Sequence, residues 1–253
     1  MTVPVPEQLV ESHRRSLAGY LVTPAILAGV LVVLYVYVSG QALDSIEARR
    51  VNSQFITQAT VEHIVLTVTS TAIVLLIAIP LGVLLTRPFA RRITPPAVAV
   101  FNVGQAVPSI GLLVLFAIFW GIGFWPAIVA LVAYSALPVL RNTMIGLTQV
   151  DAAVIESGRG MGMSRLGVLT RIELPLAVPV ILTGLRTALV INVGTASLVA
   201  LTNAGGLGGI IIAGLVSNRP LVTVVGSVLT AVLALFIDYL GRVAEDVLRP
   251  KGL

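Results

Sequence analysis

The feature that most restricts this chain is its set of long apolar runs. The first, from about Leu17 to Val38, holds no charged side chain. About 20 helical residues cross about 30 Å of hydrocarbon, so this run can span a bilayer. It is longer than the apolar region of a secretory signal, about 7–15 residues, and no convincing cleavage site follows it. We read it as a retained membrane helix. Further runs cover about Ile64 to Thr86, Pro96 to Phe119, Pro126 to Leu140, Leu176 to Leu201 and Leu221 to Leu240. The fourth is short, with room to continue past Arg141. The expectation is an all-α membrane protein with six transmembrane helices. Composition agrees: 57% of residues are hydrophobic and only 11% charged, where soluble domains run near a quarter charged.

Residue types exclude several chemistries. There is no cysteine, hence no disulfide, zinc-thiolate site or cysteine nucleophile. The two histidines, His13 and His63, lie far apart, so no histidine metal cluster is expected. A phosphate-binding loop needs a Gly-Lys-Ser/Thr run. The one lysine, Lys251, stands between Pro250 and Gly252. No nucleophile–base constellation is evident, so the chain does not read as an enzyme.

The net charge of +5 would suggest nucleic acid in a soluble protein. Here the cations fall between apolar runs and report topology instead. Arg14, Arg15, Arg87, Arg91, Arg92, Arg141, Arg159, Arg165, Arg171, Arg242, Arg249 and Lys251 fall on one side of a six-span arrangement. Arg49, Arg50 and Arg219 fall on the other, and Arg186 lies inside the fifth span. The positive-inside rule places both termini in the cytoplasm. Residues 1–16 then form a cytoplasmic tail, 17–59 a first span and outer loop, 60–245 the main membrane domain and 246–253 a second tail. Segment 43–50 can form a short surface helix. Pro80 and Gly82 should loosen the second span locally, which neighbouring helices tolerate. Pro108 should bend the third. Trp120, Phe124 and Trp125 suit the lipid–water boundary.

One polar insert breaks the apolar pattern: DAAVIESGRGMGMSRLGVLTRIELP, Asp151 to Pro175. Asp151 can cap a first helix through Glu156, and Ser164 a second. Gly158, Gly160 and Gly162 are expected to break the first helix. Pro175 should end the second and turn the chain toward the membrane. Such a hairpin, apolar on one side and rimmed by Glu156, Arg159 and Arg165, suits docking into a groove of another protein. It could also rest on lipid headgroups.

The spacing Glu156-x5-Gly162, nine residues, then Ile172-x-Leu174-Pro175 resembles the EAA motif of ABC importer permeases. Ser157 and Gly158 stand where the motif has alanines, and Gly158 should loosen the helix by about 1 kcal/mol. GMGMSR, ELPLAVPVILTGLRTA, QAVPSIGLL and NAGGLGG sharpen the resemblance to permeases of glycine betaine, carnitine and choline (osmoprotectant) importers. It covers about residues 60–245. The resemblance implies a type I permease fold in the cell membrane, without its own ATPase site. It implies coupling through Asp151, Glu156, Ser157, Gly158, Gly162, Ser164 and Arg165, in helices within 151–173. It further implies two ATPase subunits holding ATP and magnesium, a second permease copy or paralogue, and a separate external binding protein that chooses the solute. The solute would be a compatible one such as a quaternary ammonium compound.

Other polar residues fall inside spans. Asn102, Gln105, Ser109, Asn192, Thr195 and Ser197 either line a path or join helices. Pro108 sits beside them. Gly205, Gly206 and Gly208 form an outer gate, meet the binding protein, or make an ordinary flexible turn. Arg186, near mid-membrane, reads best as a packing residue whose head reaches toward the cytoplasm. The alternative is a gate residue paired with Asp238. Few carboxylates lie in the spans, which weakens a proton-driven secondary transporter; a channel would not need the insert.

Overall fold

The computed structural model describes residues 17–248. The expected tails at 1–16 and 249–253, with His13, Arg14, Arg15, Arg249 and Lys251, lie outside the described residues. Among those residues every regular element is a helix. They are α1 (Leu17–Ser39), α2 (Ser45–Arg50), α3 (Ser53–Leu85), α4 (Thr94–Ala106), α5 (Ser109–Trp120), α6 (Phe124–Thr148), α7 (Ala152–Gly160), α8 (Arg165–Val168), α9 (Leu174–Ala196), α10 (Gly208–Val216) and α11 (Pro220–Leu248).

Helix α6 is the centre. Half of its apolar window is buried inside the chain, more than in any other described span. It lies between α3 and α9 and touches both through small residues. A Cβ on Gly82 of α3 would meet the Thr143 side chain at 2.8 Å. One on Gly184 of α9 would meet the Pro138 carbonyl at 2.9 Å. With no hydrophobic drive between helices in lipid, such close backbone approach is what holds them together. Apolar clusters stack along this core. Val74, Ala78, Leu85, Ala136, Val139, Leu140 and Ala188 form the middle layer. Leu147, Ala177 and Ile181 close the end nearer the insert. Leu66, Leu113, Ile128, Leu131 and Val199 close the far end. Helix α11 packs on α9, and α1 packs outside α11.

Helices α4 and α5 meet at 98°. The break falls at Val107 and Pro108, both in extended backbone (ψ 133° and 132°). Leu112 and Leu113 of α5 join the far-end cluster, while Ala97 and Phe101 of α4 pack on the middle layer. The broken pair therefore crosses from the insert end to the far end as one span, giving six.

Several element boundaries differ from expectation. Asn52 caps α3 by accepting from the Phe55 N–H at 2.8 Å, so the helix starts at Ser53 and not near Ile64. Helix α3 also runs unbroken through Pro80. Helix α6 continues past Arg141 to Thr148, α11 runs to Leu248, and α9 stops at Ala196 before a 3-10 turn, Val199–Thr202. The segment after the glycine-rich loop is helix α10. The 43–50 surface helix is α2, with Asp44 accepting from the Ile46 and Glu47 N–H groups at 2.9 and 2.8 Å.

Candidate functional site

The insert folds as a hairpin of α7 and α8. Asp151 caps α7 by accepting from the Ala153 N–H at 2.8 Å. The helix passes through Gly158 and Gly160, contrary to expectation, and turns only at Gly162, where φ is +85°. The Met163 N–H donates to the Gly158 carbonyl at 3.2 Å and the Gly162 N–H to the Arg159 carbonyl at 2.9 Å. These two bonds are a Schellman closure, which satisfies helix-end carbonyls and needs a left-handed residue between. Gly158 survives within the helix because it is buried against the hairpin's second arm. A Cβ there would come within 2.5 Å of Ile172 Cδ1. Ser164 caps α8, accepting from the Gly167 N–H at 3.1 Å.

Pro175 does not end the second arm. One π turn, Leu169–Glu173, joins α8 to α9 without a break. A proline ring crowds the carbonyl four residues before it and supplies no N–H, and the wider turn just before Pro175 takes up that fault. The hairpin is thus continuous with a membrane helix. It is also fastened sideways. Arg87 Nη2 donates to Glu173 Oε2 at 2.6 Å and Nη1 to Oε1 at 3.3 Å, a two-point ion pair. The Glu173 side chain is 6% exposed. Neither residue stood out in the sequence, since Arg87 reads as a loop cation and Glu173 as a variable motif position.

Outward, the hairpin presents Val154, Met161 and Leu166, all exposed, among exposed Glu156, Arg159 and Arg165. Ser157 is also exposed, its hydroxyl donating to the Ala153 carbonyl at 2.8 Å. This is an apolar ridge with a charged rim.

The residues expected along a path divide into separate places. Asn192 is fully buried and donates through Nδ2 to Thr71 Oγ1 at 2.9 Å, so here it joins α9 to α3. Thr195 is buried beside it on α9. Asn102, Gln105 and Ser109 are half-buried flanking the α4–α5 break, with Pro108 exposed at the break itself. Ser197 Oγ donates to the Gly194 carbonyl at 2.6 Å. Arg186 is paired rather than reaching for solvent alone: Nε donates to Asp238 Oδ1 at 2.5 Å. Arg242 holds Oδ2 of the same carboxylate at 2.7 Å. The Arg186–Asp238 pair joins α9 to α11, an arrangement that serves a packing role and a gate role alike.

The glycine-rich loop is clamped, not free. Gly205 and Gly206 have φ of +85° and +86°. The Gly206 N–H donates to Glu62 Oε2 at 3.0 Å and the Leu207 N–H to His63 Nδ1 at 3.3 Å. His63 Nε2 in turn lies 2.9 Å from the Val193 carbonyl. A carbonyl only accepts, so the ring is the neutral form with hydrogen on Nε2. Gly208 packs directly on the Ser197 backbone. At the same end, Arg219 Nε lies 2.7 Å from Asp44 Oδ2, an ion pair. The Glu47 N–H, ahead of the Ile46 N–H and Arg219, holds the Asp44 carboxyl below its usual range.

Comparisons with known proteins bear on this architecture. The model of the binding-protein-dependent transport system inner membrane component family matches residues 78–250. The osmoprotectant import permease protein OsmY of Salmonella typhimurium is 40% identical over 211 residues, 83% of this chain and 88% of that one. The choline transport system permease protein OpuBB of Bacillus subtilis is 40% identical over 194 residues, 77% of this chain and 88% of that one. The inward-facing MetNI methionine ABC transporter has a chain with a TM-score of 0.69 and 25% identity, covering 77% of this chain and 96% of that one. A hairpin welded to a six-span bundle, and a family match over most of that bundle, lead to one assignment: this multi-pass cell-membrane chain belongs to the inner membrane components of binding-protein-dependent transport systems.

Proposed function

We propose that the chain is the permease of an ATP-driven importer for a compatible solute, and that residues 151–173 receive the stroke of a separate ATPase. The observation that carries this is mechanical. The exposed ridge of Val154, Met161 and Leu166 sits on a hairpin closed by Gly162. That hairpin is continuous with α9 and pinned to the end of α3 by Arg87 and Glu173. A push on the ridge therefore moves two core helices together. Amphipathic ridges of this kind seat in protein grooves.

In this reading the hairpin and both termini face the cytoplasm, in keeping with the distribution of arginines along the sequence. Two ATPase subunits hold ATP and magnesium, a second permease copy or paralogue completes the pathway, and an external binding protein delivers the solute. Asp151, Glu156, Ser157, Gly158, Gly162, Ser164 and Arg165 shape the docking surface. The names of the osmoprotectant and choline permease relatives support a quaternary ammonium or similar solute. The main membrane domain is 60–245, with α1 an added outer helix.

Reversing the charge at Glu156 tests the reading. Glu156→Lys leaves the fold intact, because the side chain is exposed, but is expected to abolish binding-protein-stimulated ATPase activity and uptake. Full retention of both in that variant contradicts it.

A further inference from the structure

The geometry points to Arg141 and Asn102 as a polar station on the solute path that takes the carboxylate of a zwitterionic solute. It rests on the import reading above. Arg141 lies in α6, about 10 Å inside the hairpin end by helix rise. Side chains lean toward the N-terminus of their helix, and α6 begins at the far end. Arg141 therefore reaches deeper into the membrane, away from the nearer water. There Nη2 donates to Oδ1 of Asn102 on α4 at 2.7 Å.

Both groups are accessible, Arg141 being exposed and Asn102 half-buried. Among the described residues no carboxylate pairs with Arg141, whereas Arg186 of α9 and Arg242 of α11 share Asp238. A guanidinium without a counter-ion does not face hydrocarbon; it faces water or protein. This face of α4 and α6 is therefore not a lipid face. Gly104 sets its geometry, since a Cβ there would meet the Ala133 carbonyl at 2.8 Å and push α4 off α6. Gln105, one turn from Asn102, extends the same face to the break at Pro108.

A neutral amide partner fixes the guanidinium without cancelling its charge. The remaining N–H donors of the fork are free to take a carboxylate at two points. A cation with no carboxylate gains nothing there.

The absence of cysteine makes single thiols readable in this chain. In the reconstituted transporter, Arg141→Cys is expected to react with the water-soluble reagent MTSET at least about tenfold faster than Val33→Cys, because thiols react as thiolates, which form in water. Val33 is 69% exposed on the peripheral α1. Equal rates overturn the proposal. Arg141→Gln is expected to lower ATP-driven uptake of trimethylglycine about tenfold and to leave choline uptake within about twofold, the difference of one charge-assisted contact. Attaching the cationic aminoethyl group of MTSEA to Arg141→Cys should restore trimethylglycine uptake, which a misfolded variant would not allow. Equal losses for both solutes without rescue, or a parent transporter that carries choline but not trimethylglycine, overturn the carboxylate assignment. If the parent carries neither, the choice of solute class fails instead and the carboxylate assignment falls with it, while the thiol rates still decide whether Arg141 faces water.

Discussion

Removing Arg87 should loosen the hairpin by an amount the structure lets one estimate. The Arg87→Ala variant leaves Glu173, whose side chain is 6% exposed, without its cation. Breaking a buried pair from one side costs about 3–5 kcal/mol, because a charge is stranded away from water. Arg87 is itself 26% exposed, so water can follow into the gap, and we place the loss at about 2–4 kcal/mol. Glu173→Gln leaves the Arg87 guanidinium without its counter-ion, but that group is 26% exposed and the amide oxygen still accepts from it, so this variant should cost less. The double variant Arg87→Met with Glu173→Leu should recover most of the loss, since apolar replacements of a buried pair are often neutral. The assay is unfolding of the purified chain in mixed micelles, followed as a double-mutant cycle over Arg87→Ala, Glu173→Ala and both. A coupling of about 1–3 kcal/mol is expected for residues in direct contact. Strict additivity would refute the claim that this pair fastens the hairpin to α3.

Other expectations follow from single positions. Gly162→Ala should cost about 1–2 kcal/mol in thermal unfolding, from its left-handed backbone alone because the site is open, and Gly162→Asn less. Gly208→Ala should prevent recovery of folded protein, since its Cβ would collide with the Ser197 backbone, whereas Gly209→Ala, with nothing near, should be tolerated; size-exclusion profiles separate them. His63→Leu should lower stability by about 2–4 kcal/mol, because two buried backbone groups, the Val193 carbonyl and the Leu207 N–H, lose their partner. The Asp44 carboxyl is held low by the Glu47 N–H first. Its contribution to α2 is therefore full above the ordinary carboxylate range and is lost as pH falls through its lowered value. Amide protection of residues 45–51, taken relative to the intrinsic exchange rate at each pH, should fall in acid, and Asp44→Asn should remove that dependence.

The spans were legible because their signal is bulk apolarity, which needs no partner to read. Their ends were not, because polar side chains set them: Asn52 starts α3 eleven residues before the apolar run suggests. In the hairpin the caps at Asp151 and Ser164 and the reversal at Gly162 are local and could be read directly. Gly158 and Gly160 misled, since packing on Ile172 holds α7 helical where propensity alone argues for a break. The pairs Arg87–Glu173 and His63–Val193 are 86 and 130 residues apart in sequence, and nothing local marks them. Arg186–Asp238 could be named beforehand as an alternative only because charges inside spans have so few partners. Asn192 shows the limit: a polar residue in a span reads the same whether it lines a path or, as here, ties α9 to α3.

The central claim, that the 151–173 hairpin docks an ATPase in the cytoplasm, is tested most directly by photocrosslinking in intact cells from a benzophenone side chain at Leu166, which is 68% exposed on the ridge. The predicted result is a crosslink to an ATPase subunit that strengthens or weakens with nucleotide state, with no labelling of residue 166 by reagents added outside. Adducts to lipid alone, or labelling from outside the cell, would contradict it.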